Sequence, residues 1–234
     1  MIRFITKKIV VDCFINYPQM AEKFNIRKSV KHTPDWWKKL PLSYVKKDDS
    51  LQINYDQNTM KKCLGFVDLY SSSWTIPMWS DMVIRTLEDG TYSFLTPINV
   101  LNNPLEAHNP EQHGYNFKNF FVMKLTSPWF LFEKKGVKFA FIGADWSLLN
   151  DYPDVRIPSG LLDFKYNNST NINFFLPRKN AEYKFSAGTP LVHLIPLTDR
   201  RVEFKTHCVS DSEYIEVMKR TGRYRSTFNA IRHN

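Results

Sequence analysis

The feature that most constrains this chain is a succession of short β-favouring runs, each closed by a turn signal, over residues 61–209. The clearest is DMVIRTLEDGTYSFLT, residues 81–96, where two runs of β-branched and aromatic residues flank Asp89-Gly90. Asp-Gly between such runs is a hairpin signal, because glycine accepts the left-handed backbone that a tight turn demands. The runs continue through NFFVMKLTSPWFLFEKKGVKFAFIG (119–143), RIPSGLLDFKY (156–166), NINFFLPR (171–178), AEYKFSAGTPLVHLIPL (181–197) and RRVEFKTHCV (200–209). Within the first of these Pro128 marks an edge or bend, and EKKG reads as a second hairpin turn. About ten short strands at this spacing imply two packed sheets or a closed barrel. The abundance of rings, with 18 Phe, 11 Tyr and 6 Trp, points the same way, since aromatic side chains suit a pleated, half-buried surface. The expected architecture is mainly β: an antiparallel jelly roll or double-stranded β-helix, a cupin-like barrel, with one helix at the C-terminus.

A chain of 234 residues accommodates this as one unit over 1–209, with residues 1–60 wrapping it and a basic tail over 210–234. FITKKIVVDCFI (4–15) reads as a first strand, residues 42–60 as a polar loop, and TPDWWKKLP (33–41) as one short helical turn presenting Trp36 and Trp37. Thr33 is its expected cap, Pro34 its first position and Pro41 its stop. In the tail, Ser210 followed by Glu213 fits a capping box, with Tyr214, Val217 and Met218 at helical spacing.

Charge and cysteine usage narrow the function classes. The net charge of +9 sits at the ends: residues 1–47 hold eleven Lys or Arg against Asp12, Glu22 and Asp35, and residues 219–234 hold Lys219, Arg220, Arg223, Arg225 and Arg232 with no acid. Basic ends on a near-neutral body suit contact with a protein partner, which is preferred here over nucleic acid because lysine enrichment is also a plain compositional bias. No apolar run approaches the roughly 18 residues of a membrane span. Cys13, Cys63 and Cys208 are odd in number and far apart, which favours a reducing compartment without disulfides.

HNPEQHG (108–114) is the candidate for metal chemistry. His108, Glu111 and His113 could supply imidazole and carboxylate ligands to a divalent metal such as iron, in a facial arrangement with open positions. The competing reading is a polar loop whose imidazoles bond backbone groups; His-x-Asp, His-x-Glu and His-x-His are all missing from the chain. His193 lies in the apolar run GTPLVHLIP, where alternation places it with Leu191 and Ile195. Such a histidine is either a core residue or a pocket wall. His207 and Cys208 are adjacent and therefore point to opposite faces of a strand, so they cannot pair with each other. Glycine-rich phosphate loops, G-x-S-x-G and H-E-x-x-H do not occur. The six tryptophans either line a pocket for a sugar or base or seal the core.

Several motifs, in order, resemble those of an uncharacterised family of tailed-bacteriophage proteins of the T4-like marine type, with bacterial relatives. They are TPDWWKKLP (33–41), KKCLGFVDLYSSSWTIPMWSDMVI (61–84), HNPEQHG (108–114), KLTSPWFLFEKKG (124–136), GLLDF (160–164) and GTPLVHLIP (188–196). The resemblance implies a cupin-like or jelly-roll domain and no established activity. His108 and Gln112 match its His…Gln pattern and Trp129 its Pro-Trp. His113 and His193 stand where other residues are usual, with Gln common at the latter, and a second acid usually follows the equivalent of Asp163. The expected ligand pocket is therefore His108, Gln112, Trp129, Asp163 and His193, and the expected partner contacts are Lys219, Arg220, Arg223 and Arg225. Three functions follow: a phage structural or interaction module docking a phage protein or a second copy, in the host cytoplasm or the virion; a cupin-type metal enzyme; and a binder of a small molecule or glycan.

Overall fold

The computed structural model describes residues 8–48, 53–97 and 104–219. The chain opens with β1 (Ile9–Ile15), whose alternation buries Ile9, Val11, Cys13 and Ile15. Helix α1 (Pro18–Lys23), a two-residue strand β2 (Arg27–Lys28) and a 3-10 turn, Ser29–His32, lead to α2 (Asp35–Lys39). Helix α2 is the expected tryptophan-bearing turn, shifted by one residue. Pro34 is its cap, and the Thr33 hydroxyl donates instead to the Val30 carbonyl.

The polar stretch read as a loop pairs as β3 (Ser43–Asp48) with β4 (Ile53–Asn58). Among the described residues it pairs with no other strand, and no apolar periodicity reveals it. Next, α3 (Leu64–Ser72) replaces an expected strand. Phe66 and Tyr70 lie four apart, stack at 4.6 Å and are the buried face of this helix.

The β-rich part follows: β5 (Trp74–Pro77), β6 (Met82–Thr86), β7 (Tyr92–Leu95), β8 (Leu105–Ala107), β9 (Phe120–Leu125), β10 (Phe130–Glu133) and β11 (Lys138–Gly143). Helix α4 (Asp145–Asp151) intervenes before β12 (Gly160–Asp163), β13 (Ile172–Pro177), β14 (Ala181–Phe185), β15 (Pro190–Pro196) and β16 (Val202–Cys208). The Asp89-Gly90 hairpin joins β6 to β7, with Gly90 at φ 88° and the Asp89 carboxylate accepting from the Thr91 amide and hydroxyl. Glu133 organises the EKKG turn by accepting from the amides of Lys135 and Val137. That turn does not close a hairpin: β10 pairs with β1, and β11 pairs with β12 and β15.

Among the described residues the strands form five sheets: β10-β1-β16, β12-β11-β15-β5-β2, β13-β9-β8, β14-β6-β7 and β3-β4. All pairings are antiparallel except β1 with β16. The structure is thus β-rich with interspersed helices, and the barrel expected from the sequence is corrected: among the described residues no sheet closes on itself. Prolines stand at strand ends, at Pro77, Pro177, Pro190 and Pro196, where a missing N–H cuts the ladder short. One hydrophobic cluster nevertheless takes residues from Ile9 to Val202. Helix 211–219 is anchored through buried Tyr214, whose hydroxyl donates to the Pro128 carbonyl at 2.7 Å and whose ring meets Phe130 edge-on. Ser210 and Glu213 exchange the expected capping hydrogen bonds.

Candidate functional site

The loop 108–114 is built as a capped 3-10 turn. The Gln112 side chain accepts from the Asn109 amide and also faces His108 Nδ1 at 3.1 Å. His108 Nε2 meets Asn173 Oδ1 at 3.2 Å, so both ring nitrogens are engaged by amides. Glu111 accepts from the Tyr115 hydroxyl at 2.7 Å, which holds its carboxyl below the usual range. His113 turns to Phe117, with ring centroids 5.5 Å apart. The three side chains thus serve three different partners, and no set of three or more His, Cys, Asp or Glu groups is placed to hold a metal among the described residues.

The other expected pocket residues do not gather either. Trp129 is fully buried, and its carbonyl accepts from Thr170. Asp163 ends β12 and accepts from the Lys165 amide. Between the sheets, the void lined by Met78, Met82, Leu125, Phe174 and Phe185 measures about 10 Å³, room for one water at most. Of the expected partner contacts, Lys219 is paired with Glu216, and Arg220, Arg223 and Arg225 lie outside the described residues.

His193, wholly buried on β15, heads a chain of hydroxyls that the sequence did not reveal. Its Nδ1 lies 3.0 Å from Thr75 Oγ1 and 3.1 Å from Ser29 Oγ. Thr75 lies 2.8 Å from Ser29, Ser29 lies 2.7 Å from Ser73, and Ser73 reaches the Leu69 carbonyl at 2.5 Å. Ser73 and Thr75 both donate toward Ser29, Ser73 also approaches the Leu69 carbonyl, and Thr75 and Ser29 both reach the same imidazole nitrogen. Burial, followed by the charge of neighbouring His32, pushes the His193 imidazole down to about 4. His193 Nε2, His32 Nε2, the Tyr70 hydroxyl and the Ser147 hydroxyl are all buried without a direct protein partner. Ser147 is close enough to pull the Tyr70 phenol down a little, against the larger upward push of burial, but not at hydrogen-bonding geometry.

Aromatic rings roof this cluster. Phe66 stacks on Trp37 at 4.9 Å and on Tyr70, and meets Trp36 and Trp146 edge-on. Trp36 Nε1 donates to the Trp146 carbonyl and Trp37 Nε1 to that of Met60. These three tryptophans form a secondary cluster around Phe66, while Trp74, Trp79 and Trp129 belong to the main core.

The opposite face of the same strands is open. Alternation sends Ser29, Ser73 and Thr75 towards His193 and leaves Lys28, Ser72 and Trp74 on the other side. There they line a groove of about 500 Å³, with Thr198, Arg200, Arg201, Val202 and Phe204 on its far wall. The Lys28 ammonium sits 3.5 Å from the centre of the Trp74 ring, and Trp74 stacks on Phe204 at 4.9 Å. Lys28 has the Ser71 carbonyl at 3.3 Å and no carboxylate within ion-pair distance among the described residues. Partial burial lowers its pKa. The groove's one carboxylate, Glu203, is paired with Lys8 at 2.6 Å. The β2–β5 register that sets Lys28 against Trp74 is a long-range pairing, so sequence spacing held no signal for it.

No family model matches this chain, and no curated protein or solved structure matches it.

Proposed function

We propose that this protein is a non-catalytic binding module whose groove between β5 and β16 receives an acidic segment of a protein partner. The observation that carries this reading is Lys28, an exposed cation held on the Trp74 ring with no carboxylate within ion-pair distance among the described residues, in a groove that Arg200 and Arg201 also line. A docking role is also one of the three functions expected from the sequence. A protein partner is preferred to nucleic acid because a polyphosphate needs a continuous basic track. Here many surface cations are locally neutralised, in Lys8–Glu203, Lys38–Asp35, Arg85–Glu182, Lys124–Glu106 and Lys179–Asp154. Catalysis draws no comparable support. The His193 imidazole is sealed from solvent, and both nitrogens of His108 meet amide side chains.

Calorimetric titration with an oligoglutamate peptide tests the proposal. Binding is expected at low salt, weaker at physiological salt, and several-fold weaker in Lys28→Gln and in Arg201→Gln. A peptide that binds both variants as tightly as the unaltered protein refutes the assignment of this groove.

A further inference from the structure

We propose, independently of the groove, that a second copy of this chain pairs with the outer edge of β3, joining two β3–β4 hairpins into one four-stranded antiparallel sheet. Every side chain from Tyr44 to Lys46 and from Asn54 to Asn58 is exposed, so neither face of this hairpin is covered by the body of the protein. Tyr44, Val45 and Tyr55 are the large apolar groups among them, with Val45 60% exposed. A lone two-stranded hairpin is marginal in water, and an uncovered strand edge is a template for another strand. This hairpin is nevertheless well anchored at its base. Thr59 donates its amide to the Leu42 carbonyl and its hydroxyl to that of Pro41. Trp37 Nε1 donates to the Met60 carbonyl, and Lys61 Nζ reaches the carbonyls of Trp37 and Lys38.

The register decides which groups the edge offers. Antiparallel partners alternate between pairs that exchange hydrogen bonds and pairs that do not. Leu42 and Thr59 are a bonded pair, so Tyr44–Gln57 and Lys46–Tyr55 are bonded pairs as well. Ser43 and Val45 therefore send their amides and carbonyls outward from β3, and Asn54, Asp56 and Asn58 do so from β4. Among the described residues no other strand meets either edge.

The occupant follows from what the β3 edge sets opposite itself. In a symmetric pair centred on Val45, the two Val45 side chains meet at the two-fold axis. Tyr44 then faces Lys46 of the second copy, and this pairing occurs twice. It is the ammonium–ring contact that Lys46 already makes with Tyr55, at 6.0 Å. Moving the axis to Lys46 would oppose two ammonium groups, and moving it to Tyr44 would set each ammonium against Leu42. The β4 edge offers Asn54, Asp56 and Asn58 at its outward positions, with no apolar side chain to bury.

Sedimentation velocity of the full chain tests this from about 10 μM to about 1 mM, because so short a contact is smaller than a standard interface and a Kd on the order of 100 μM is expected. Val45→Pro removes one outward amide, leaves the bonded pairs on either side of it in place, and is expected to stay monomeric. Asp56→Pro makes the same change on the other edge and is expected to dimerise like the unaltered protein. Tyr44→Lys opposes ammonium groups at two symmetric places and should weaken the dimer about tenfold. Adding Lys46→Glu should restore it, since each new ammonium then faces a carboxylate across the axis. Circular dichroism and thermal melting check that each variant folds. A monomer over the whole range overturns the proposal. So does dimerisation of Val45→Pro equal to that of the unaltered protein, or loss of the dimer in Asp56→Pro alone. A double variant no tighter than Tyr44→Lys overturns the Val45 register.

Discussion

Replacing His193 with glutamine should flatten the pH dependence of this protein's stability. The imidazole is wholly buried and is held neutral, at about 4 against an ordinary 6.5, chiefly by desolvation. In the unfolded chain the same group takes up a proton as pH falls through 6.5. The unfolded state therefore binds more protons than the folded state between the two values, and stability falls as pH falls. The stabilisation is fully present above 6.5, declines through the window, and is gone below about 4. At 1.36 kcal/mol per pH unit the whole effect is roughly 3 kcal/mol, and about 2 kcal/mol is already lost at pH 5. Urea unfolding of the two proteins at pH 8, 7, 6 and 5 supplies the comparison. Carboxylates held low by ion pairs, such as Glu182 and Glu203, contribute the same slope to both and cancel. Glutamine fills a similar space and can donate to Thr75, so the variant should fold; its offset at pH 8 is immaterial, since the slope is the readout. If both proteins lose the same stability between pH 8 and 5, His193 is not the neutral, sealed imidazole described above.

Four shorter predictions accompany it. Phe66→Ala should cost about 3–5 kcal/mol, because it removes the ring against which Trp36, Trp37, Tyr70 and Trp146 pack, and chemical denaturation measures it. Tyr214→Phe should cost about 1 kcal/mol through the Pro128 hydrogen bond alone, and hydrogen exchange should show faster opening confined to helix 211–219. Glu133→Gln should cost roughly 1–3 kcal/mol, because a buried carboxylate that accepts from two amides becomes a side chain with one acceptor, and thermal melting reads the loss. His108→Ala should cost about 1 kcal/mol by loosening the 108–114 turn from β13, and elemental analysis should find the same metal content as in the unaltered protein.

Local chemistry was legible wherever neighbours in sequence are also neighbours in space. Asp89-Gly90 turns because glycine takes the positive φ and the Asp89 carboxylate holds the next amide. Ser210 and Glu213 cap a helix because three residues span one helical turn. Helix α3 was legible in principle, in the four-residue spacing of Phe66 and Tyr70, and was masked by the β-favouring residues around them.

What the sequence could not determine is which strand lies beside which. The same alternation serves a closed barrel and five small sheets, because period two states only which side chains share a face, and the prolines that cut each ladder read equally well as turns. The partners of buried His193 could not be read from the sequence because the hydroxyls it meets lie 118 and 164 residues away. The groove depends still more on tertiary structure. Lys28 and Trp74 meet only through the β2–β5 register, and Phe204 reaches Trp74 from a separate sheet. Composition and local pattern set the β-rich class, the turns and the helix cap, since those energies are short-ranged. Long-range pairing alone brought a cation, two rings and two guanidinium groups to one open groove.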